Sequence, residues 1–361
     1  MNALLKRLQS AGSVKHSSVL SNSLFFNEKE QIPTEIPIIN AALSAKLDGG
    51  LTSGLTFLAG PSKHFKSLLG LMLVKAYMKK YEDSICILYD SEFGITPEYI
   101  SSNGIDTNRV LHVPIEHLEQ LKFDISKRLE EIKRGDKVII FVDSVGNLAS
   151  KKEVEDALDE KSVADMSRAK AMKSLWRIVT PHLTTKDIPC IAVNHTYQTM
   201  ELYSKSIMSG GTGGMYSANQ VFIIGKAQEK EGSELMGFNF TINIEKSRFV
   251  REKSKFPFTV TFDGGINKYS GLIDVALDLG FVVKPSNGWY SKVDKKTGEI
   301  EEKKYRLKDT NSKEFWDSLL DSESFKEAVY NKYAISSRAL MSDEVDDIQK
   351  EFDKIEDEDD E

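Results

Sequence analysis

The stretch "GLTFLAGPSKHFKSLLGLMLVKAYM", residues 54–78, decides what kind of chain this is. "GLTFLA" has the apolar content of a buried strand, "LLGLMLVKAYM" carries apolar residues at helical spacing, and "GPSKHFKS" joins the two. A strand, a loop opened by glycine and a helix started by Lys-Ser is the layout of a phosphate-binding loop, G-x-x-x-x-G-K-[ST], except that Phe65 stands where the second glycine belongs. Gly60, Pro61, Ser62, Lys63, His64 and Phe65 would form the loop, whose backbone N–H groups meet an anion at the positive end of a helix. Lys66 would reach the β- and γ-phosphates, and Ser67 would offer its hydroxyl to Mg²⁺.

Phe65 has a definable cost. If the loop needs a left-handed backbone there, a residue with a side chain costs roughly 1–2 kcal/mol, and a bulky aromatic is less tolerant than Asn or Asp. Charge-assisted bonds to phosphate outweigh that sum. The condition is that the ring turns away from the nucleotide, into the sheet or a neighbouring subunit.

Outward from this stretch the chain alternates strand and helix, which predicts a mostly parallel sheet flanked by helices. The expected strands are "GLTFLAG", "ICILYDSE", "RVLHVP", "KVIIFVDSV" and "PCIAVNHT", with helices over 67–80, 96–103, 118–134 and 163–185 between them. "DKVIIFVDS" is nearly all apolar, as a strand covered on both faces should be. "QVFIIGKA", "FNFTINIEKS" and "FPFTVTFDGG" follow without long helices, so they extend one edge as hairpins. From Lys268 the pattern changes to helix, a Gly/Asn turn, a charged hairpin and further helices, the signature of a small C-terminal α+β domain.

The polar residues at strand ends supply the rest of a phosphoanhydride hydrolase. "VIIFVDS" ends in Asp143 and Ser144, a carboxylate able to hold a Mg²⁺ water. "CILYDSE" ends in Asp90 and Glu92, and Glu92 can orient and deprotonate an attacking water. "IAVNH" ends in Asn194 and His195, which can contact a γ-phosphate. Two long connections leave these strand ends, where open α/β sheets place ligands: "GNLASKKEVEDALDEKSV" and "TYQTMELYSKSIMSGGTGGMYSAN". The second is rich in glycine and tyrosine, which marks a functional loop more often than a structural one.

Composition narrows the field further. From Ser342 to Glu361 there are 12 acidic residues against Lys350 and Lys354, a net charge of -10. Set against the whole chain's -7, that leaves Met1 to Met341 mildly basic at +3. The tail reads as solvated chain that can also compete with nucleic acid for a basic groove. Cys86 and Cys190 each sit in an apolar run, as buried thiols of a reducing compartment do, and support neither a disulfide nor a metal site. No apolar run is long enough for a membrane span and the first residues lack a signal peptide's apolar stretch, so the expected location is the cytoplasm, without a membrane partner.

On "GPSKHFKS", "YDSEFGITPEY", "FVDSVGNLASKKE", "NHT" and "INIEKSRFV", taken together and in this order, the sequence resembles the RecA family of homologous recombinases, most closely its UvsX branch from T4-like bacteriophages. The resemblance runs from about Leu24 to Tyr333. It implies a RecA-type P-loop ATPase core over 35–267, an N-terminal helix/strand polymerisation segment over 1–34, a small C-terminal domain over 268–335 and a disordered acidic tail over 336–361. In the UvsX branch the loop phenylalanine is itself usual. The resemblance makes Glu92 the catalytic glutamate, Tyr99 the aromatic that stacks on adenine, and Ser67, Asp143 and Ser144 the Mg²⁺ site. His195 takes the γ-phosphate sensor role where bacterial relatives carry Gln. It also makes Lys246 and Arg248 the cations that reach the neighbouring subunit's ATP, stabilising charge on the γ-phosphate in trans.

The same resemblance implies binding of single- and double-stranded DNA through both loops. Arg168 and Lys173 lie on the helix after the first loop, and Lys205, Gly210 and Gly211 in the second; sequence-tolerant binding needs phosphate contacts and main-chain N–H groups that glycine leaves open. Leu24, Phe25 and Phe26 are expected to pack on the adjacent subunit, and a head-to-tail contact that does not close gives a helical filament. Implied partners are ATP and Mg²⁺, DNA, further copies of the chain, a phage single-strand-binding protein and a recombinase-loading mediator, in the cytoplasm of an infected bacterium. The expected activity is DNA-dependent ATP hydrolysis coupled to homologous pairing and strand exchange in recombination, repair and recombination-dependent replication. Two alternatives stay open from the residues alone: a RecA-fold ring helicase, and a regulatory filament protein that binds nucleotide without hydrolysis.

Overall fold

A computed structural model describes residues 3–14, 17–23, 25, 30–159, 167–199, 206–231 and 234–335. The strands in chain order are β1 (Gly54–Ala59), β2 (Ile85–Asp90), β3 (Val110–Pro114), β4 (Val138–Asp143), β5 (Pro189–Asn194), β6 (Thr196–Gln198), β7 (Ser206–Met208), β8 (Gln220–Glu231), β9 (Glu234–Ser247), β10 (Lys255–Thr261) and β11 (Gly265–Ile266). Of these eleven, all but β6 and β7 form one sheet in the order β11-β10-β9-β8-β1-β5-β4-β2-β3. From β8 to β3 every pairing is parallel, and from β8 to β11 every pairing is antiparallel. This is the α/β sheet with a hairpin-built edge that the strand pattern predicts.

Period-two alternation explains why the central strands are apolar throughout. Leu55, Phe57, Ile140, Val142, Cys190 and Ala192 join the core on one face; Leu58, Ile139, Phe141, Ile191 and Val193 join the core on the other. The helices Leu118–Glu131 and Ser167–Lys186 cover the first face through Leu121, Ile125, Leu129, Trp176 and Leu183. The helix Lys66–Lys80, starting one residue before the expected position, covers the second through Leu69, Leu73 and Val74. Gly70 allows that close approach, because a Cβ there would lie 2.4 Å from the Phe141 ring.

The C-terminal lobe holds β12 (Val282–Ser286), β13 (Trp289–Lys292) and β14 (Tyr305–Arg306), an antiparallel sheet. Its helices Lys313–Leu320 and Glu323–Tyr333 place Phe315, Trp316 and Phe325 in the same core that holds Leu73 and Phe258. Arg251 ties the lobe back by donating to the carbonyls of Ala334 (2.8 Å) and Asn331 (2.9 Å).

The two connections have more local structure than their composition suggests. The first contains the helix Lys151–Leu158, started by Ser150 and Glu153 in reciprocal side-chain-to-backbone bonds. The second opens as an antiparallel pair, β6 with β7, and closes with the helix Thr212–Ser217. The helix Ala3–Ala11 buries no residue against its own chain, and Leu4, Leu5 and Leu8 face solvent. Leu24, Phe26, Lys205 and the acidic tail lie outside the described residues. Among those described, no helix is long and apolar enough to cross a membrane, and both cysteines are buried and free.

Candidate functional site

Because β1, β5, β4 and β2 are neighbours and parallel, their carboxyl ends open on the same edge. Ala59 stands beside Asn194, and Asp90 beside Asp143. The segments that follow meet around a cleft of about 500 Å³ lined by Ser62, Lys63, His64, Phe65, Lys66, Ser67, Glu92, Tyr99, Asp143 and His195. Gly60 and Pro61 lead into it from β1, and Ser144 follows Asp143 directly.

Phe65 has φ 63° and ψ 12°, the left-handed conformation that the loop pattern asks of a glycine. Its ring turns into the hairpin edge of the sheet, 5.1 Å from Phe240 and 5.8 Å from Phe258 between centroids. Aromatic contacts of this kind are worth about 0.5–1.5 kcal/mol beyond area burial, the same order as the backbone cost. Two residues earlier Lys63 is also left-handed, at φ 59°. Lys66 is buried and donates to the carbonyl of Pro61 at 2.6 Å. Burial holds its ammonium below the usual lysine range, partly offset by Glu92 and Asp143.

Asp143 is the most perturbed carboxyl of the cleft. Burial pushes it up to about 6, opposed by a hydrogen bond from Ser67 and reinforced by the charges of Glu92 and Asp90. Its Oδ1 is buried with no hydrogen-bond partner among the described residues. A buried carboxylate oxygen beside a serine hydroxyl suits a Mg²⁺ ion, which takes one or two protein ligands and completes its shell with phosphate and water.

Glu92 is held from several sides. Its Oε1 accepts from the Ser144 hydroxyl at 2.6 Å and from Asn147 Nδ2 at 2.9 Å, and lies 3.5 Å from His195 Nε2. Its backbone is placed by Asp90, whose Oδ1 accepts the N–H groups of Glu92 (3.0 Å) and Phe93 (2.7 Å). Ser91 braces the far side, donating to the Ser144 carbonyl at 2.8 Å and accepting the Ser144 N–H at 3.0 Å. The peptide between Asp143 and Ser144 is cis. Gly146 lets His195 come close, since a Cβ there would stand 2.3 Å from His195 Cδ2 and 2.8 Å from its backbone nitrogen.

His195 is joined directly to the second connection. Its carbonyl accepts the Ser209 N–H at 2.9 Å, and Asn194 Oδ1 accepts both the His195 N–H and the Ser209 hydroxyl at 2.8 Å. Gly210 and Gly211 follow with φ of 90° and 76°. His195 is thus hydrogen-bonded to this segment through its own backbone.

The basic residues divide. Arg168 turns inward and donates to the carbonyls of Gly146 (2.8 Å), Leu148 (2.9 Å) and Val145 (3.3 Å), so it braces the first connection. Lys173 is exposed on the same helix. Lys246 and Arg248 lie on and just beyond β9 and are not among the residues lining the cleft of their own chain. Lys246 Nζ donates to the carbonyls of Met215 (2.8 Å) and Tyr216 (3.1 Å), and burial and Arg248 lower its pKa. Phe25 stacks on a guanidinium of its own chain, with Arg134 Cζ 5.5 Å from the ring centroid.

Sequence reasoning names Asp90 without giving it a role and passes over several other parts of this site. Asp90, Asn147 and Gly146 position Glu92 and His195, and only the "DSE" and "VGN" neighbourhoods hint at them. Lys226, on β8, also lines the cleft and carries no motif. A second, apolar cleft of about 710 Å³ shares Phe65 and Leu68 with the first and is walled by Met72, Ala76, Val260 and Ile266, with Asn103 beside them. Tyr99 stands on the wall of the phosphate cleft, and burial followed by the charge of Asp143 raises its pKa.

Residues 25–267 match the RecA N-terminal domain, and residues 269–329 match the C-terminal domain of the bacteriophage T4 recombination and repair protein. The recombination and repair protein of Enterobacteria phage T4 is 56% identical over 355 residues, which span 96% of this chain and 91% of that protein. Protein RecA of Cutibacterium acnes is 26% identical over 275 residues, 75% of this chain and 76% of its own. Protein RecA of Chlorobium chlorochromatii is 27% identical over 255 residues, 70% of each.

Proposed function

The chain belongs to the RecA family, and from that premise we propose that it is a recombinase that binds ATP with Mg²⁺, polymerises on single-stranded DNA and exchanges its strand with a homologous duplex. The observation that carries this is the convergence of Lys66, Ser67, Glu92, Asp143 and His195 on one cleft at the carboxyl ends of four adjacent strands. A fold alone does not specify chemistry, and it is these groups in this arrangement that support the reading.

The left-handed loop presents its amides to the phosphates, and Lys66, freed from the Pro61 carbonyl, reaches the β- and γ-phosphates. Ser67 and Asp143 would hold Mg²⁺, which would supply positive charge against the phosphates. Glu92 accepts a proton from the attacking water as the bond between the γ-phosphorus and the ADP oxygen breaks. Ser144 and Asn147 keep that carboxylate aimed. The apolar cleft beside Phe65 takes the base, with Tyr99 nearby. Lys246 and Arg248, away from the cleft of their own chain, supply cations to a neighbour's γ-phosphate. His195 reports the γ-phosphate to the Gly210–Gly211 segment through Ser209, and that segment, with Lys173 and Lys205, holds DNA.

Arg168 shapes the first DNA loop rather than touching DNA, because its guanidinium is committed to three loop carbonyls. The helix Ala3–Ala11, with its leucines exposed, and Leu24, Phe25 and Phe26 join subunits into a filament. Residues 1–34, 35–267, 268–335 and 336–361 serve as polymerisation segment, ATPase core, C-terminal lobe and acidic tail, acting in the cytoplasm of a phage-infected bacterium. The test is strand exchange: with ATP and Mg²⁺ the protein should convert circular single strands and homologous linear duplex into joint molecules. Duplex unwinding without joint molecules would mark a helicase instead.

A further inference from the structure

We propose that Lys226 is a positioning residue for nucleotide binding, its ammonium holding the phosphate loop at Lys63; this rests on the nucleotide-binding role proposed above. Lys226 lies on β8 directly opposite Phe240 of β9, and Phe240 lies directly opposite Phe258 of β10. The three side chains form a cross-strand row against which the ring of Phe65 packs. Lys226 Nζ stands 3.6 Å from the centroid of the Phe238 ring and 3.2 Å from the Lys63 carbonyl oxygen, to which it donates.

A loop that turns its N–H groups toward an anion leaves its carbonyls facing elsewhere, and these need donors of their own. Lys66 leaves the Pro61 carbonyl when phosphate draws it away, whereas Lys226 goes on serving that of Lys63, a residue in the left-handed conformation. The hairpin edge thus grips the loop twice, through the Phe65 ring and through the Lys63 carbonyl. The aromatic face under the ammonium fixes the lysine, so little side-chain freedom is lost when the loop closes on phosphate. This grip acts on the loop that surrounds the β-phosphate, so it serves ATP and ADP alike.

The test compares Lys226→Met, which keeps the apolar stem and loses charge and donor, with Lys226→Arg, which keeps both. Binding of ATP and of ADP, each with Mg²⁺, is measured by calorimetry on the full chain, together with KM and kcat for ATP on single-stranded DNA. Lys226→Met should weaken both nucleotides about tenfold, as loss of one hydrogen bond from a charged group does. KM should rise by a similar factor while kcat stays within about twofold, and Lys226→Arg should restore most of the affinity. Unchanged thermal midpoints in both variants would exclude a general folding effect. Wild-type protein that binds neither nucleotide would overturn the proposed function and this role with it. Wild-type binding with an unaltered Lys226→Met variant would overturn only the role of Lys226. Loss of ATP affinity with ADP affinity retained would also overturn it, as the mark of a direct contact to the terminal phosphate.

Discussion

The ring of Phe65 lies 5.1 Å from the ring of Phe240, so the residue that replaces a loop glycine is anchored by the hairpin edge of the sheet. Phe65 is left-handed at φ 63°, and the two facts pull in opposite directions. Replacing it with alanine keeps the backbone strain and loses the ring; replacing it with glycine loses the ring and relieves the strain. Phe65→Ala should therefore be less stable than Phe65→Gly by about 1 kcal/mol, the reverse of the order inside a helix. Chemical denaturation of the two variants checks this, and alanine as the more stable of the pair would refute it.

Asp143 ties stability to pH. Burial raises its pKa from 3.8 to about 6, so the folded chain favours the protonated carboxyl. The sign follows: its contribution is fully favourable below about pH 4 and is lost as pH rises from about 4 to 6, where the folded state must ionise a buried group. Asp143→Asn removes that penalty and should stabilise the nucleotide-free protein at neutral pH by about 3 kcal/mol, the gain shrinking as pH falls toward 4. The same variant should lose Mg²⁺-dependent ATP binding. Denaturation midpoints across a pH series, and nucleotide titrations with and without Mg²⁺, measure the two halves.

Much of this is legible in the chain, and what is hidden has physical reasons of its own. Parallel strands place their carboxyl ends together, so reading the polar residue after each apolar run is enough to find Lys66, Glu92, Asp143 and His195. Phe65 was legible as a conformational question, with the left-handed backbone and the outward ring as its answer. Lys226, Phe240 and Phe258 come together only through the register of antiparallel strands, and no local pattern fixes that register. The inward turn of Arg168 is likewise out of sight in the chain, since a cation on a loop-flanking helix suits DNA and only the folded structure shows its guanidinium on three loop carbonyls. The short β6–β7 pair leaves no period-two signal in the chain, because each strand has only three residues.

A shared active site makes a prediction that single variants cannot. Glu92→Ala spoils a subunit's own cleft, and Lys246→Ala with Arg248→Ala spoils what it lends to the next. Each protein alone should be inactive. Mixed in equal amounts on single-stranded DNA, they should recover about a quarter of wild-type ATP hydrolysis, because random filament order pairs an intact cleft with intact cations at that frequency. If the cations serve their own chain, the mixture stays as inactive as its parts.

If this cleft hydrolyses ATP in response to DNA, the steady-state rate of phosphate release will depend on single-stranded DNA. Wild-type protein should hydrolyse ATP faster when single-stranded DNA is present, and Lys66→Ala and Glu92→Ala should each abolish the stimulated rate while remaining folded. Normal turnover in either variant, or a wild-type rate indifferent to DNA, would show that this cleft is not a DNA-dependent ATPase site.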